Sequence, residues 1–190
     1  MQAMYDSLKA VWQELTSEGG AFEIEEITVR GAPMRTFKAA PNHLGDIWSS
    51  TALHDDRPYL VFNDEVISYT DAHDMVRGLR CWFEKEGLAP GDRIAIAMRN
   101  FPEYMPCYWA TTSGGLTVVG MNAWWVEDEM DYALKDSSPK VLICDEERLN
   151  RFEKIRADFP DLKVLTVRCD GQAQDTRLET ALETMGTPSP

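Results

Sequence analysis

At 190 residues the chain can hold one ordinary domain, long enough to remove roughly 70% of its unfolded surface from water. A 44% hydrophobic share beside 27% charged residues excludes a disordered or fibrous polymer. The formal net charge of −13 repels polyanions, which excludes nucleic acid and anionic membrane surfaces as partners held by bulk charge.

In chain order, Met4, Leu8, Val11, Trp12 and Leu15 recur at helical spacing and Gly19-Gly20 stops the pattern, which predicts an amphipathic helix. Phe22 and Ile24, then Ile27 and Val29, alternate with a change of phase that predicts a bulged or edge strand, with Glu23, Glu25 and Glu26 in water. After Pro41-Asn42 a short helix is expected with Leu44, Ile47, Trp48 and Thr51 on one face.

From Pro58 onward, short β-rich segments alternate with helical ones, the grammar of an α/β sheet. Tyr59 to Phe62 and Val66 to Tyr69 predict a hairpin turning at Asn63-Asp64. A helix capped by Thr70 follows, with Asp71 and Asp74 near its positive end and Val76, Leu79, Trp82 and Phe83 inward, ending at Gly87. Pro90-Gly91-Asp92 is a turn, and Ile94 to Met98 is a strand covered on both faces.

Asn100 is expected to cap a helix running from Pro102 or Glu103 through Ala110, and Leu116 to Val119 forms the next buried strand. Glu127 to Leu134 is helical, ending near Ser137-Ser138; Val141 to Cys144 is a central strand, Asp145 to Ala157 a crossover helix, and Val164 to Val167 the strand after it. Right-handed crossovers then predict an α/β fold with a mostly parallel sheet and helices on both faces, preceded by a helix and edge strands. The expected organisation is an extension over residues 1–57, an α/β subdomain over 58–182 and a linker or disordered end over 183–190, with no internal repeat.

Thr111-Thr112-Ser113-Gly114-Gly115 offers hydroxyls and glycines of the kind that cradle phosphate, but no lysine follows and the stretch closes a helix instead of opening one. A helix end is the expected role. His43, His54 and His73 lack metal-ligand spacing and are expected on loops or exposed helix faces. For Trp124-Trp125 two readings stay open: Trp125 packing under the following helix with Trp124 half exposed, or a tryptophan walling a ligand tunnel or domain interface. Asp55-Asp56, Glu25-Glu26 and Glu146-Glu147 point in divergent directions and read as solvated surface, and Ser49, Ser50, Ser68 and Ser113 lack the GxSxG setting of a hydrolase nucleophile.

Cys81, Cys107, Cys144 and Cys169 form no CxxC pair and are expected to be reduced and mostly buried. No apolar run approaches the ~20 residues of a transmembrane helix and no leader pattern opens the chain, so a cytoplasmic protein is expected.

From about Phe37 to about Arg168 the pieces RPYLVFNDEVISYTD, GLAPGDRIAIAMRNFPEY, GGLTVVGMNAWW and EDEMDYALKDSSPKVLICD follow one another in a recognisable order. In that order and spacing the chain resembles the N-terminal portion of AMP-forming acyl-CoA synthetases, members of the adenylate-forming ligase family. The NAWW piece is similar to a bacterial subgroup taken to act on fatty or other bulky carboxylic acids.

The resemblance implies an acid-CoA ligase in which ATP and Mg2+ convert a carboxylate to an acyl-adenylate and CoA then takes the acyl group. It places the phosphate loop, the nucleotide site and the catalytic lysine in downstream subdomains, so no catalytic, cofactor-binding or metal-binding residue is assigned to a numbered position here. The 190 residues are expected to be a fragment without activity of its own, binding no cofactor alone, with the downstream subdomains and a small carboxylic acid as partners and a homo-oligomer possible. A binding or interaction module derived from the same fold stands as the alternative, with a small nucleotide-binding α/β protein as a third reading.

Overall fold

The computed structural model describes residues 1–184, Gly186 and Pro188. Met185, Thr187, Ser189 and Pro190, which belong to the expected linker over 183–190, lie outside the described residues. The chain divides into two compact units, Met1–Asn42 and His43–Pro190.

The first unit is a helix and a hairpin. Helix α1 spans Gln2–Thr16, and Gly19 follows it at φ +77°. Met4, Leu8, Val11 and Trp12 share the spacing of one helical face, yet each is more than half exposed and α1 buries no residue. Strands β1 (Ile24–Val29) and β2 (Ala32–Phe37) pair antiparallel from Ile24↔Phe37 to Val29↔Ala32. Their connection, Arg30-Gly31, has φ +50° and +84°, the left-handed pair that matches strand twist in a two-residue hairpin.

The register is unbroken, so the change of phase in the sequence marks no bulge; in an isolated two-stranded ribbon neither face must be apolar. Partner β2 was not anticipated because Pro33 argues against a strand, although an edge tolerates it. Glu23 is not simply in water either. Its carboxylate accepts from Lys38 Nζ at 2.8 Å and the Gly19 N–H at 3.0 Å, and both bonds hold its pKa below the usual value.

The second unit opens with α2 (Leu44–Ser50), where His43 Nδ1 accepts the Asp46 N–H at 3.2 Å as an N-cap. A 3-10 turn over Thr51–His54 continues it. Of the apolar residues expected inward, Trp48 is buried while Leu44 and Ile47 are each 40% exposed. Trp48 stacks on Trp109 at 5.3 Å and on His73 at 4.1 Å. Those contacts bind α2 into the second unit, which is why the chain divides at Asn42/His43 and not at residue 57.

Strands β3 (Pro58–Phe62) and β4 (Glu65–Ser68) form the expected hairpin, turning through Asn63 at φ +53°. Helix α3 (Tyr69–Lys85) is capped by Ser68 and not by Thr70. Ser68 Oγ accepts the Asp71 N–H at 3.0 Å while Asp71 Oδ2 accepts the Ser68 N–H at 3.2 Å, a reciprocal box that Thr70, already in the first turn, cannot make. The expected inward face, Val76, Leu79, Trp82 and Phe83, is buried. Gly78 is also buried, and a Cβ there would sit 2.5 Å from the Leu182 carbonyl oxygen, so glycine lets two helices approach closely.

Strands β5 (Arg93–Ala97), β6 (Thr117–Gly120), β7 (Val141–Asp145), β8 (Lys163–Val167) and β9 (Thr176–Arg177) build a five-stranded parallel sheet in the order β6-β5-β7-β8-β9. Alternation sorts the strands between two layers. Ile94, Ile96, Val141, Ile143, Leu165 and Val167 pack with α3, α4 (Tyr104–Ser113) and α7 (Leu178–Leu182). Ala95, Ala97, Leu142, Cys144 and Val164 pack with α5 (Glu127–Ser137) and α6 (Glu146–Phe152). Helices therefore cover both faces, as a parallel sheet requires. Full burial of one such side chain, Leu79 for instance, stabilises by about 1.5–3 kcal/mol.

Helix α4 begins after Glu103 and runs to Ser113, so Asn100 is not its cap. The crossover after β7 is α6 and then a separate 3-10 turn over Arg156–Asp158, not one helix through Ala157. Strand β9 and helix α7 were not anticipated: two and five residues are too few to show a period. All four cysteines are free; Cys81, Cys107 and Cys144 are buried, and burial pushes the Cys144 thiol well above its usual pKa.

Candidate functional site

The strand order reverses direction at β5. From there the chain moves outward to β6 on one side and then to β7, β8 and β9 on the other. Such a reversal leaves a crevice beyond the carboxyl ends of the two flanking strands, where ligands of open α/β sheets bind. A cleft of about 780 Å³ lies there, walled by Phe62, Arg99, Asn100, Trp124, Asp145 and Arg168 among others.

Asp145, the last residue of β7, organises the floor. Its Oδ2 accepts the Arg99 N–H at 2.9 Å, and its Oδ1 accepts the Arg148 N–H at 3.1 Å, capping α6. The Arg148 guanidinium returns to the same carboxylate at 3.1 Å and 3.2 Å. Arg148 is 1% exposed, and a charge so buried costs several kcal/mol unless it is paired and fully hydrogen-bonded. The remaining donors meet that need: Nε gives to the Ala123 carbonyl at 2.7 Å and Nη2 gives to the same oxygen. Arg151 Nη1 adds bonds to Ala123 O at 2.9 Å and Trp125 O at 2.8 Å.

Two arginines of α6 thus clamp the loop Asn122-Ala123-Trp124-Trp125 by its backbone. The clamp sorts the tryptophans: Trp125 packs against the α5/α6 layer, while Trp124 is 66% exposed at the cleft with the Arg99 guanidinium 4.3 Å from its ring centre. Trp125 thus packs under the following helix, as the first reading expected, and Trp124 is left exposed on the cleft.

The opposite wall is pinned by Arg168, at φ +58° just past β8. Its guanidinium bonds Glu65 at 2.9 Å and 2.5 Å and Glu103 at 2.8 Å, and lies 5.4 Å and 5.1 Å from the rings of Phe62 and Phe101. Its pKa is raised, the Glu65 hydrogen bonds being the largest cause, and Arg168 in turn holds the Glu65 carboxyl below its usual range.

Thr111 to Gly115 stands behind the sheet's other end as a helix terminus. The Thr111, Thr112 and Ser113 hydroxyls donate to the carbonyls of Cys107, Tyr108 and Trp109, and the Gly114, Gly115 and Leu116 N–H groups donate to Ala110, Thr112 and Thr111 carbonyls. These amides are spent, and the Arg148 and Arg168 guanidiniums are spent on carboxylates and carbonyls. The Thr111 to Gly115 turn therefore presents no converging N–H groups to a phosphate, while Arg99 lines the cleft with its guanidinium over Trp124. Among the described residues no group of three or more His, Cys, Asp or Glu side chains is placed to hold a metal ion such as Mg2+.

Two histidines depart from the expected exposed position. His73 is half-buried, stacked on Trp48 with Nε2 3.0 Å from Thr51 Oγ1, and burial lowers its pKa; His54 is half-buried against Tyr69 at 4.7 Å. The Arg148 and Arg168 clamps were missed because charged residues at a strand end or in Glu-Glu-Arg-Leu-Asn-Arg read as solvated surface. An aspartate ending a buried strand three residues before an arginine is the signal that was present.

Among the described residues no helix is long and apolar enough to cross a membrane. Over 122 residues the chain is 25% identical to a medium/long-chain-fatty-acid–CoA/3-oxocholest-4-en-26-oate–CoA ligase of Mycobacterium marinum, a match covering 64% of this chain and 22% of that protein. It is 25% identical over 118 residues to a 4-hydroxybenzoate–CoA/benzoate–CoA ligase of Rhodopseudomonas palustris, covering 62% and 22%. The chain thus spans about a fifth of the length of these relatives. The fold is similar to a crystal structure of an anthranilate CoA ligase in complex with anthranoyl-AMP, with TM-score 0.73 and 18% identity over 79% of this chain and 30% of that one. A long-chain-fatty-acid CoA ligase structure from Rhodopseudomonas palustris gives TM-score 0.71 and 19% identity over 78% and 38%. The model of the family described as AMP-binding enzyme matches residues 47–189, three quarters of the sequence and all of the sheet. The chain belongs to the AMP-binding enzyme family.

Proposed function

We propose that these residues are the N-terminal portion of an ATP-dependent, AMP-forming acid-CoA ligase and form a supporting wall of its active site. The observation that carries this reading is the cleft at the strand reversal, whose buried and half-buried arginines are held by their own carboxylate and carbonyl partners in a chain spanning about a fifth of its relatives. A wall of that kind positions a neighbour without supplying the charge neutralisation that phosphoryl and acyl transfer need.

In the whole protein, ATP, Mg2+ and CoA are bound by groups downstream of this chain, and the acid substrate is fatty or otherwise bulky, in keeping with the names of the relatives. The whole protein is cytoplasmic, a reading supported by four cysteines that are free, three of them buried. Residues 1–190 turn over no substrate alone.

ATP–pyrophosphate exchange with a panel of fatty and aryl acids tests this reading. Exchange is expected from a protein that carries the downstream portion and none from residues 1–190. Acid-dependent exchange by the 190-residue chain itself overturns it.

The uncovered face of α1 favours a second reading, an interaction module built on the same fold. Solution mass separates the two, because a monomer at high concentration that captures no partner removes the module.

A further inference from the structure

Helix α1 leaves one apolar stripe in water. Met4, Tyr5, Leu8, Val11 and Trp12 are each between 51% and 65% exposed, and at helical spacing they share one side. The charged residues of the helix, Asp6, Lys9 and Glu14, lie off that stripe. A helix of fifteen residues is marginal in water unless its apolar side is covered.

The stripe is symmetric along the chain. A two-fold axis at Leu8 carries Met4 onto the position of Trp12 and Tyr5 onto that of Val11, so when two copies run antiparallel each stripe residue faces another. Leu8 then meets its own copy. On either side of it a large ring faces a smaller side chain, tryptophan against methionine and tyrosine against valine, the alternation that lets facing layers interdigitate.

Charge permits the contact: Asp6 and Glu14 against Lys9 leave the helix close to neutral, so the chain's −13 is carried elsewhere. The area suffices as well. Five side chains exposed by half to two-thirds leave roughly 500–700 Å² uncovered per copy, and two copies together reach the low end of specific interfaces. A bilayer is a poorer match, because a surface-seeking helix is rich in lysine and arginine on its polar face and α1 carries Lys9 alone.

We propose that α1 is a self-association surface, on which a second copy of this chain packs its own α1 antiparallel about a two-fold axis at Leu8. The interface is small, so the dimer is weak, with a dissociation constant of about 10–100 µM. Below that concentration the chain is a monomer with α1 uncovered. The inference does not rest on the acid-CoA ligase reading.

Sedimentation of the 190-residue chain at about 5 µM and about 300 µM, below and above that constant, reads the dimer. Monomer is expected at the lower concentration and dimer at the higher. Leu8→Ala is expected to weaken association about tenfold, since the residue enters the interface twice. Alanine is a stronger helix former than leucine, so loss of the helix does not account for the effect. Leu53→Ala, the same change at a leucine 68% exposed in the second unit, leaves association unchanged. Oxidation with glutathione disulfide reads the orientation: Met4→Cys and Trp12→Cys chains mixed together link faster than either chain links to itself.

A chain that stays monomeric at the higher concentration overturns the proposal. So does a dimer that Leu8→Ala leaves intact, equal weakening by Leu53→Ala, or faster linking of Met4→Cys to itself. A protein that carries the downstream portion and stays monomeric where the 190-residue chain dimerises also overturns it, by giving the α1 face to that portion.

Discussion

The two units of this chain take opposite routes from pattern to structure. In Met1–Asn42 a fifteen-residue helix with a clear apolar face buries nothing, and a six-residue hairpin strand leaves five of its residues exposed. In His43–Pro190 every residue of β7 is buried, and so is an arginine. Spacing alone fixes a helix or a strand, whereas burial depends on what the rest of the chain brings to that face. The first unit is held by hydrogen bonds, a tight turn, the Lys38–Glu23 ion pair and an edge-on contact of Phe22 with Phe37; the second by two continuous apolar layers with a polar clamp at one end of the sheet.

Substitutions sharpen that contrast. Arg148→Ala leaves the Asp145 carboxylate without its buried partner and is expected to cost about 3–5 kcal/mol in urea unfolding. A cost under about 1 kcal/mol would mean that water reaches Asp145 and that the clamp is not buried as described. Leu79→Ala, at a fully buried position of α3, is expected to cost about 2–5 kcal/mol by the same measurement. Loss of the capping box through Ser68→Ala comes next, at about 1 kcal/mol. Smallest of all is Trp12→Ala, expected to stay within about 0.5 kcal/mol because the indole is already more than half exposed. A larger effect from Trp12 would show that α1 has a covered face.

The capping box also carries a pH signature. Hydrogen bonds from the Ser68 hydroxyl and then the Ser68 N–H hold the Asp71 carboxyl below its ordinary value of 3.8. A carboxyl lowered on folding contributes stability that is complete above the unfolded value and lost as pH falls through the folded one. Stability should therefore decline below about pH 4 in the parent chain, and less steeply in Ser68→Ala. For His73 the sign reverses in origin but not in direction: burial lowers an imidazole whose unfolded value is 6.5, so the unfolded chain binds the extra proton and stability falls as pH drops below that value. His73→Phe should remove that slope; a slope that survives assigns it elsewhere.

Legibility follows the same division. Strands β5, β7 and β8 could be read from short apolar runs because both faces of each had to be apolar, and the α3 face because four of its buried residues keep helical spacing. Strand β2 was hidden by Pro33, and β9 and α7 by their length. The cleft was the least legible part. Its geometry comes from strand order, which no local window contains, and its fixing residues, Asp145, Arg148 and Arg168, are of the types that local patterns assign to water. What the local pattern did convey was the helix-end role of Gly114-Gly115, since a phosphate cradle opens a helix and this stretch closes one.

Isothermal titration of Mg2+-ATP into the 190-residue chain tests most directly the claim that this cleft is a wall and not a self-sufficient nucleotide site. No saturable heat up to millimolar nucleotide is the predicted result. Saturable binding that Gly115→Ala or Arg99→Ala abolishes would contradict it, by placing phosphate contacts among these residues.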